Sequence, residues 1–198
     1  NWVNLDNTDL DSVKKQINSS EPVFENLKRI QNVFLHCYFH DADTEIFFKK
    51  LVNDKQIDFS RYNYFYASFL HNSGRVQDAK DILVSSTKLY PRNLLLNQYK
   101  IDLNEDENYK SNFDCKNRTN VIAEIFYITA NAFSSQSMYS LSNFYLNLSK
   151  YLNKDFGSFD TLLAENFYKI ENFKKSKTIY DQMKKQGSAY LWYAAKQK

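Results

Sequence analysis

His36 and His40 stand four residues apart, with Cys37 between them and Asp41 and Asp43 just beyond. On a helix, residues i and i+4 share a face, and two imidazoles placed so can hold zinc. The zincin pattern needs Glu directly after the first His, and Cys37 takes that place here. The expectation is helix packing, with Asp41 or Asp43 capping a following helix, and no metal site. Asp102, Asn104 and Asp106 have the alternate spacing of a calcium loop. Its sixth position needs Gly and is Glu107, and its twelfth needs Glu and is Phe113. No phosphate loop, nucleophile elbow or dinucleotide fingerprint occurs, and three glycines could scarcely build one. No catalytic residue and no cofactor are expected, so the chain reads as a non-enzyme.

The elements that carry these residues must be helices. The chain has 198 residues, 43% of them apolar, with 15 Tyr and 16 Phe, which supports a sizeable core and argues against disorder. Three Gly and two Pro are too few for sandwiches or barrels, which need a turn residue every 8–12 positions. The net charge of +3, from 26 basic and 23 acidic residues, leaves no strong footprint for nucleic acid or anionic lipid. The longest uncharged run, 125–149, carries Asn131, Ser134, Ser135, Gln136, Ser137, Asn143 and Asn147, so it reads as a helical hairpin rather than a membrane insertion. Cys37 and Cys115 can form one bridge, which is no disulfide framework, and the compartment stays open between cytoplasm and bacterial periplasm. The chain begins at Asn1 and stops within an expected helix, so it reads as a piece of a larger protein. High Asn, Lys, Tyr and Phe usage points to an AT-rich bacterial genome.

An internal repeat fixes the frame. With Pro91 at position 32 of a 34-residue unit, residues 60–93 place Ala67, Leu70, Gly74, Ala79, Leu83 and Ser86 at positions 8, 11, 15, 20, 24 and 27. Residues 123–156 place Ala130, Phe133, Ser142, Leu146 and Ser149 likewise, with Lys154 where the Pro would stand. Residues 157–190 place Leu163, Ala164, Phe167, Phe173, Ser176 and Tyr180, with Met183 at 27. Small residues fall where two helices approach closely, and all three glycines fall at turns. On these residues the chain resembles the tetratricopeptide repeat family, and bacterial members of unassigned function in particular. The resemblance implies an all-α, right-handed superhelical solenoid of antiparallel helix pairs in one domain. Residues 8–54 are expected to hold degenerate helices: Thr8–Ile17, then 21–40 with Ser20 as N-cap and Pro22 in the first turn, then 43–53 with Ile46, Phe47 and Leu51 on one face. Residues 94–122 read as a helix over 94–104 and a polar loop over 105–118. Residues 191–198 start a further helix whose Trp192 and Tyr193 lack a partner.

The resemblance also implies a protein or peptide partner on the concave face formed by the first helix of each pair. Its positions are Arg61, Tyr64, Ser68, His71 and Asn72, then Glu124, Tyr127, Asn131, Ser134 and Ser135, then Ser158, Thr161, Glu165, Tyr168 and Lys169. The Lys and Asn pattern of members that clamp a C-terminal carboxylate is missing. The outer face is polar in the first and third units. In the second it carries Leu141, Phe144, Leu148 and Tyr151 at helical spacing, so something is expected to cover the 137–151 helix: a second copy, a partner, or the N-terminal segment. Lys174, Lys175, Lys177, Lys184 and Lys185 read as a solvated surface, with the aromatics on the buried face and no nucleic acid bound. The function expected is an interaction scaffold; the alternative is an oligomerisation or regulatory domain of a larger envelope or secretion-associated protein or enzyme.

Overall fold

The computed structural model describes Trp2, Leu5, residues 9–19 and residues 25–197, and within them the chain is all-helical. The helices are α1 (Leu10–Asn18), α2 (Glu25–Tyr38), α3 (Thr44–Val52), α4 (Tyr62–Asn72), α5 (Val76–Leu89), α6 (Leu94–Glu105), α7 (Arg118–Ser135), α8 (Tyr139–Leu152), α9 (Phe159–Lys169), α10 (Phe173–Met183) and α11 (Ser188–Lys196). Short polar side chains start several of them by accepting a bond from an otherwise unpaired backbone N–H. Asp9 accepts from Ser12 N, Asn93 from Leu96 N, Asn117 from Thr119 N and Asn172 from Lys175 N. The expected cap Ser20 and first-turn Pro22, like Thr8, lie outside the described residues.

Four hairpins share one turn. In α4–α5 the N–H of Gly74 bonds to His71 O and that of Arg75 to Leu70 O. In α7–α8 the same pair runs from Ser137 to Ser134 and from Met138 to Phe133, and in α9–α10 from Glu171 to Tyr168 and from Asn172 to Phe167. In α2–α3 it runs from His40 to Cys37 and from Asp41 to His36. This is the Schellman closure of a helix, which needs one left-handed residue. Gly74, Ser137, Glu171 and His40 supply it at φ 78°, 62°, 59° and 56°. His40 precedes Gly74 by one repeat length of about 34 residues, as Ser137 precedes Glu171. The small residues Ala67, Ala79, Ala130, Ser142, Ala164 and Ser176 are buried, which lets the paired helices approach closely. In α3 the buried face is Thr44, Phe48 and Leu51, while Ile46 is exposed, so the helix is rotated from the expected face.

Besides α1, which packs on α2, two helices, α6 and α11, have no hairpin mate. α6 follows α5 but is succeeded by a twelve-residue loop (106–117), and α11 follows the α10 hairpin through a 3-10 turn at Lys184–Gln186. These two half-units pack against each other, while α2 packs on α7. The Gln98 side chain of α6 accepts from Ala189 N at 2.9 Å and so caps the start of α11. Tyr190 and Ala194 are buried in that contact, although Trp192 stays exposed with the Lys196 ammonium over its ring.

The core that results is aromatic. Phe113 lies 4.4 Å from Phe65, 5.5 Å from Phe34 and 5.9 Å from Phe156 between ring centroids, so the expected polar loop delivers one of the central core side chains. Cys115 in the same loop is bridged to Cys37 of α2, with Cα atoms 5.8 Å apart, within the ordinary reach of a disulfide. On the outer side, Glu45 of α3 accepts from Tyr66 of α4 and from Arg75 at the start of α5, tying three helices together.

Candidate functional site

The second residue of each expected unit is Arg61, Glu124 or Ser158, and the fold brings all three to one point. Arg61 Nε donates to Glu124 Oε1 at 2.7 Å, and its Nη2 donates to Glu124 Oε2 at 2.8 Å and to Ser158 Oγ at 2.9 Å. The guanidinium lies 3.9 Å above the ring of Tyr127. Planar, forked donors match a carboxylate's two oxygens, and the flat cation stacks on an aromatic face. Burial pushes the Glu124 carboxyl up and Arg61 pulls it back, while Glu124 holds Arg61 charged.

This convergence corrects the expected open groove. Tyr64, Ser68 and Glu124 are buried in the chain itself. The loop 106–117 fills the groove of the first pair. The Tyr64 hydroxyl meets Ser111 Oγ at 2.7 Å, Ser68 Oγ donates to Phe113 O at 3.1 Å, and the His71 ring nitrogens meet Tyr99 OH and Glu107 O at 3.0 Å each. Lys80 pairs with the Glu107 carboxylate across the mouth. Asn72, Asn131 and Ser135 are exposed on helix ends, as are Tyr168 and Lys169. Ser134 is turned inward and donates to Asn166 at 2.6 Å, whose amide donates in turn to Ser142 and Asn143.

What stays open are two depressions flanking a shared wall of Leu95, Ser158 and Tyr190. The smaller, about 260 Å³, is lined by Arg61, Tyr127, Thr161 and Glu165 from the expected concave set and by Arg92, Asn93 and Tyr193 in addition. Glu165 accepts from the Tyr193 hydroxyl at 2.6 Å. The larger, about 530 Å³, lies between α6, the loop 106–117, the turn 155–158 and the start of α11. Its aromatic and amide residues, Tyr99, Tyr109, Gln98 and Gln186, belong to the half-units and the connecting turns. No repeat frame assigns a role to them, so sequence reading missed them.

On the outside, Phe144 is 57% and Tyr151 75% exposed, Leu141 is exposed and Leu148 half-buried. The described N-terminal residues do not cover them. Trp2 donates to Gln31 Oε1 and packs edge-on to Tyr38, at α2. Met138 and Leu141 form a shallow notch with Ile170 across the hairpin tips, and Tyr168 meets Phe173 nearby. Phe173 is 55% exposed beside Lys174 and Lys175, which corrects the expectation that the aromatics of that repeat are all buried.

The histidine pair does not share a helical face. α2 ends at Tyr38, His36 is buried and stacked on Phe47 at 3.9 Å, and His40 is exposed in the turn. Burial pushes the His36 imidazole down. No group of three metal-ligating side chains is assembled among the described residues, and no helix there is long and apolar enough to cross a membrane. Asp102 sits in α6, in the stretch read as a helix over 94–104, and lines the larger depression. Comparison of the chain with protein-family models, with curated proteins and with solved structures finds no match.

Proposed function

We propose that the chain is a protein-interaction scaffold of tetratricopeptide type, a right-handed superhelical array of antiparallel helix pairs that binds a peptide or protein and catalyses nothing itself. The observation that carries this reading is the repeated turn: four hairpins close with the same two hydrogen bonds and the same left-handed residue. Stacked hairpins of this kind hold a surface rigid, so little ordering is lost when a partner docks. The partner surface in this reading is the smaller depression, where Arg61, Tyr127, Thr161 and Glu165 meet Arg92 and Tyr193. The buried tyrosines of the first pair serve the fold. The Cys37–Cys115 bridge supports the periplasm, or another oxidising compartment, over the cytoplasm.

The test is affinity capture from source cells with the wild-type chain beside Thr161→Arg and Arg92→Glu. A partner recovered by the wild type and lost with both variants supports the depression as its site. A partner retained by both moves the site elsewhere.

A second reading, a module for self-association within a larger envelope or secretion-associated protein, is favoured by one observation: Phe144 and Tyr151 lie open on α8. Sedimentation of wild type against Phe144→Glu separates the two, because only self-association makes the sedimentation coefficient depend on Phe144.

A further inference from the structure

The larger depression, about 530 Å³, is within the range of small-molecule sites. Along it runs a ladder of rings. Phe156 is 5.5 Å from Tyr64, Tyr64 is 4.9 Å from Tyr99, and Tyr99 is 6.0 Å from Tyr109, centroid to centroid. The side-chain amide donors around it are already used. Gln98 Nε2 donates to Asp102 at 2.7 Å, Gln186 Nε2 to Asp160 at 2.7 Å, and Asn112 Nδ2 to the Asp155 carbonyl at 2.9 Å. Of the acceptors, the Asp102 carboxylate takes Gln98 and Tyr109, and Gln98 Oε1 takes Ala189 N. Gln186 Oε1 is buried with no hydrogen-bond partner among the described residues. Asp102 and Asp155 line the same space, and the one cation lining it is the exposed Lys185.

A buried acceptor left without a partner, Gln186 Oε1, calls for a ligand that brings N–H groups. Two carboxylates repel an anion and attract a cation, and ring faces attract a cation as well. A neutral polyol would satisfy the acceptors but gain nothing from the charge. We infer that this depression binds a primary alkylammonium, with Asp102 as the charge partner, Gln186 Oε1 as a further acceptor and the half-buried Tyr109, backed by the buried rings of Tyr99 and Tyr64, along the alkyl chain. Such a group has two sources, a free amine or the lysine side chain of a docked protein. The second rests on the scaffold reading, and the first does not.

The test is isothermal titration of the whole chain with four probes at matched ionic strength: butylammonium, 1,4-diaminobutane, Nα-acetyl-lysine methylamide and the neutral control 1-butanol. The expected result is saturable binding of at least one amine, at least tenfold tighter than butanol. Preference for the lysine amide assigns a protein side chain, and preference for the diamine a free amine. Asp102→Asn keeps an acceptor for Gln98 and is expected to weaken the amine tenfold or more. Tyr109→Leu, at the half-buried end of the ladder, is expected to weaken it severalfold. The comparison of amine with alcohol needs no variant, so a poorly folded substitution does not blunt it. Absence of amine binding, equal binding of butanol, or amine affinity unchanged in a folded Asp102→Asn chain overturns the inference. Amine binding without capture of any protein leaves the free-amine site standing and the scaffold reading failed.

Discussion

The guanidinium of Arg61 grips the carboxylate of Glu124 through two parallel hydrogen bonds of 2.7 and 2.8 Å, joining the start of α4 to the second turn of α7, 63 residues away. Glu124 has no solvent exposure and the Arg61 side chain only 18%. Removing one member strands the other charge in the core. Glu124→Ala is expected to cost ~3–5 kcal/mol in urea unfolding, whereas an Arg61→Met/Glu124→Met double variant costs clearly less than the sum of the single changes, since neither leaves a lone buried charge.

Reduction of the Cys37–Cys115 bridge frees a loop that carries Phe113 into the core. The closed loop is long, with a sequence separation of 78. A Cys37→Ser/Cys115→Ser chain is expected to lose about 2–4 kcal/mol, with a matching drop in the melting temperature of the wild type under dithiothreitol. Amide exchange should quicken first over 106–117. Uniform quickening across the whole chain would mean the loop is not a separate unit.

Glu45 contributes to the acid sensitivity. Its hydrogen bonds from Arg75 and Lys49 hold the carboxyl at about 2, below an ordinary value of 4.5. A depressed pKa stabilises the fold above the unfolded value, and that contribution fades as pH falls from about 4.5 to about 2. Arg75 is well exposed, so solvent screening leaves the contribution near ~1 kcal/mol. Glu45→Gln is expected to flatten the stability curve in that window. A curve unchanged between wild type and variant would place the acid sensitivity elsewhere.

Two glycines should respond differently to the same substitution. A Cβ on Gly187, at φ 119°, would lie 2.2 Å from the Gln98 carboxamide, which is itself fixed by Ala189 and Asp102. A Cβ on Gly74, at φ 78°, meets nothing within 4 Å. Gly74→Ala therefore carries only the left-handed backbone penalty, ~1–2 kcal/mol, and Gly187→Ala should cost more than that in thermal unfolding.

Phe144→Glu removes an exposed ring, so its expected effect on folding stability is within ~0.5 kcal/mol, measured by urea unfolding. A larger loss, together with a change in sedimentation, would place Phe144 in a contact between copies.

The hairpins were legible because their causes are local. Small residues at Ala67 and Ala79, large ones at Leu70 and Leu83, and a turn at Gly74 recur within one short window, and each acts on neighbours a few residues away. The α2–α3 hairpin was only partly legible: His40 takes the left-handed turn without being glycine, and the buried face rests on Phe48 rather than Phe47 and Ile46.

The sequence by itself determined that the chain is helical and where its hairpins turn, since helix periodicity, caps and left-handed turns are short-range properties. Tertiary structure alone decided what the inner face became. Whether Tyr64 and Glu124 line a groove or a core depends on which distant segments return to cover them. Here the loop holding Phe113, the guanidinium of Arg61 and the half-units α6 and α11 do so, over separations that no local pattern records. The same returns leave open the depression beside Asp102 and Gln186, because two helices without hairpin mates meet there.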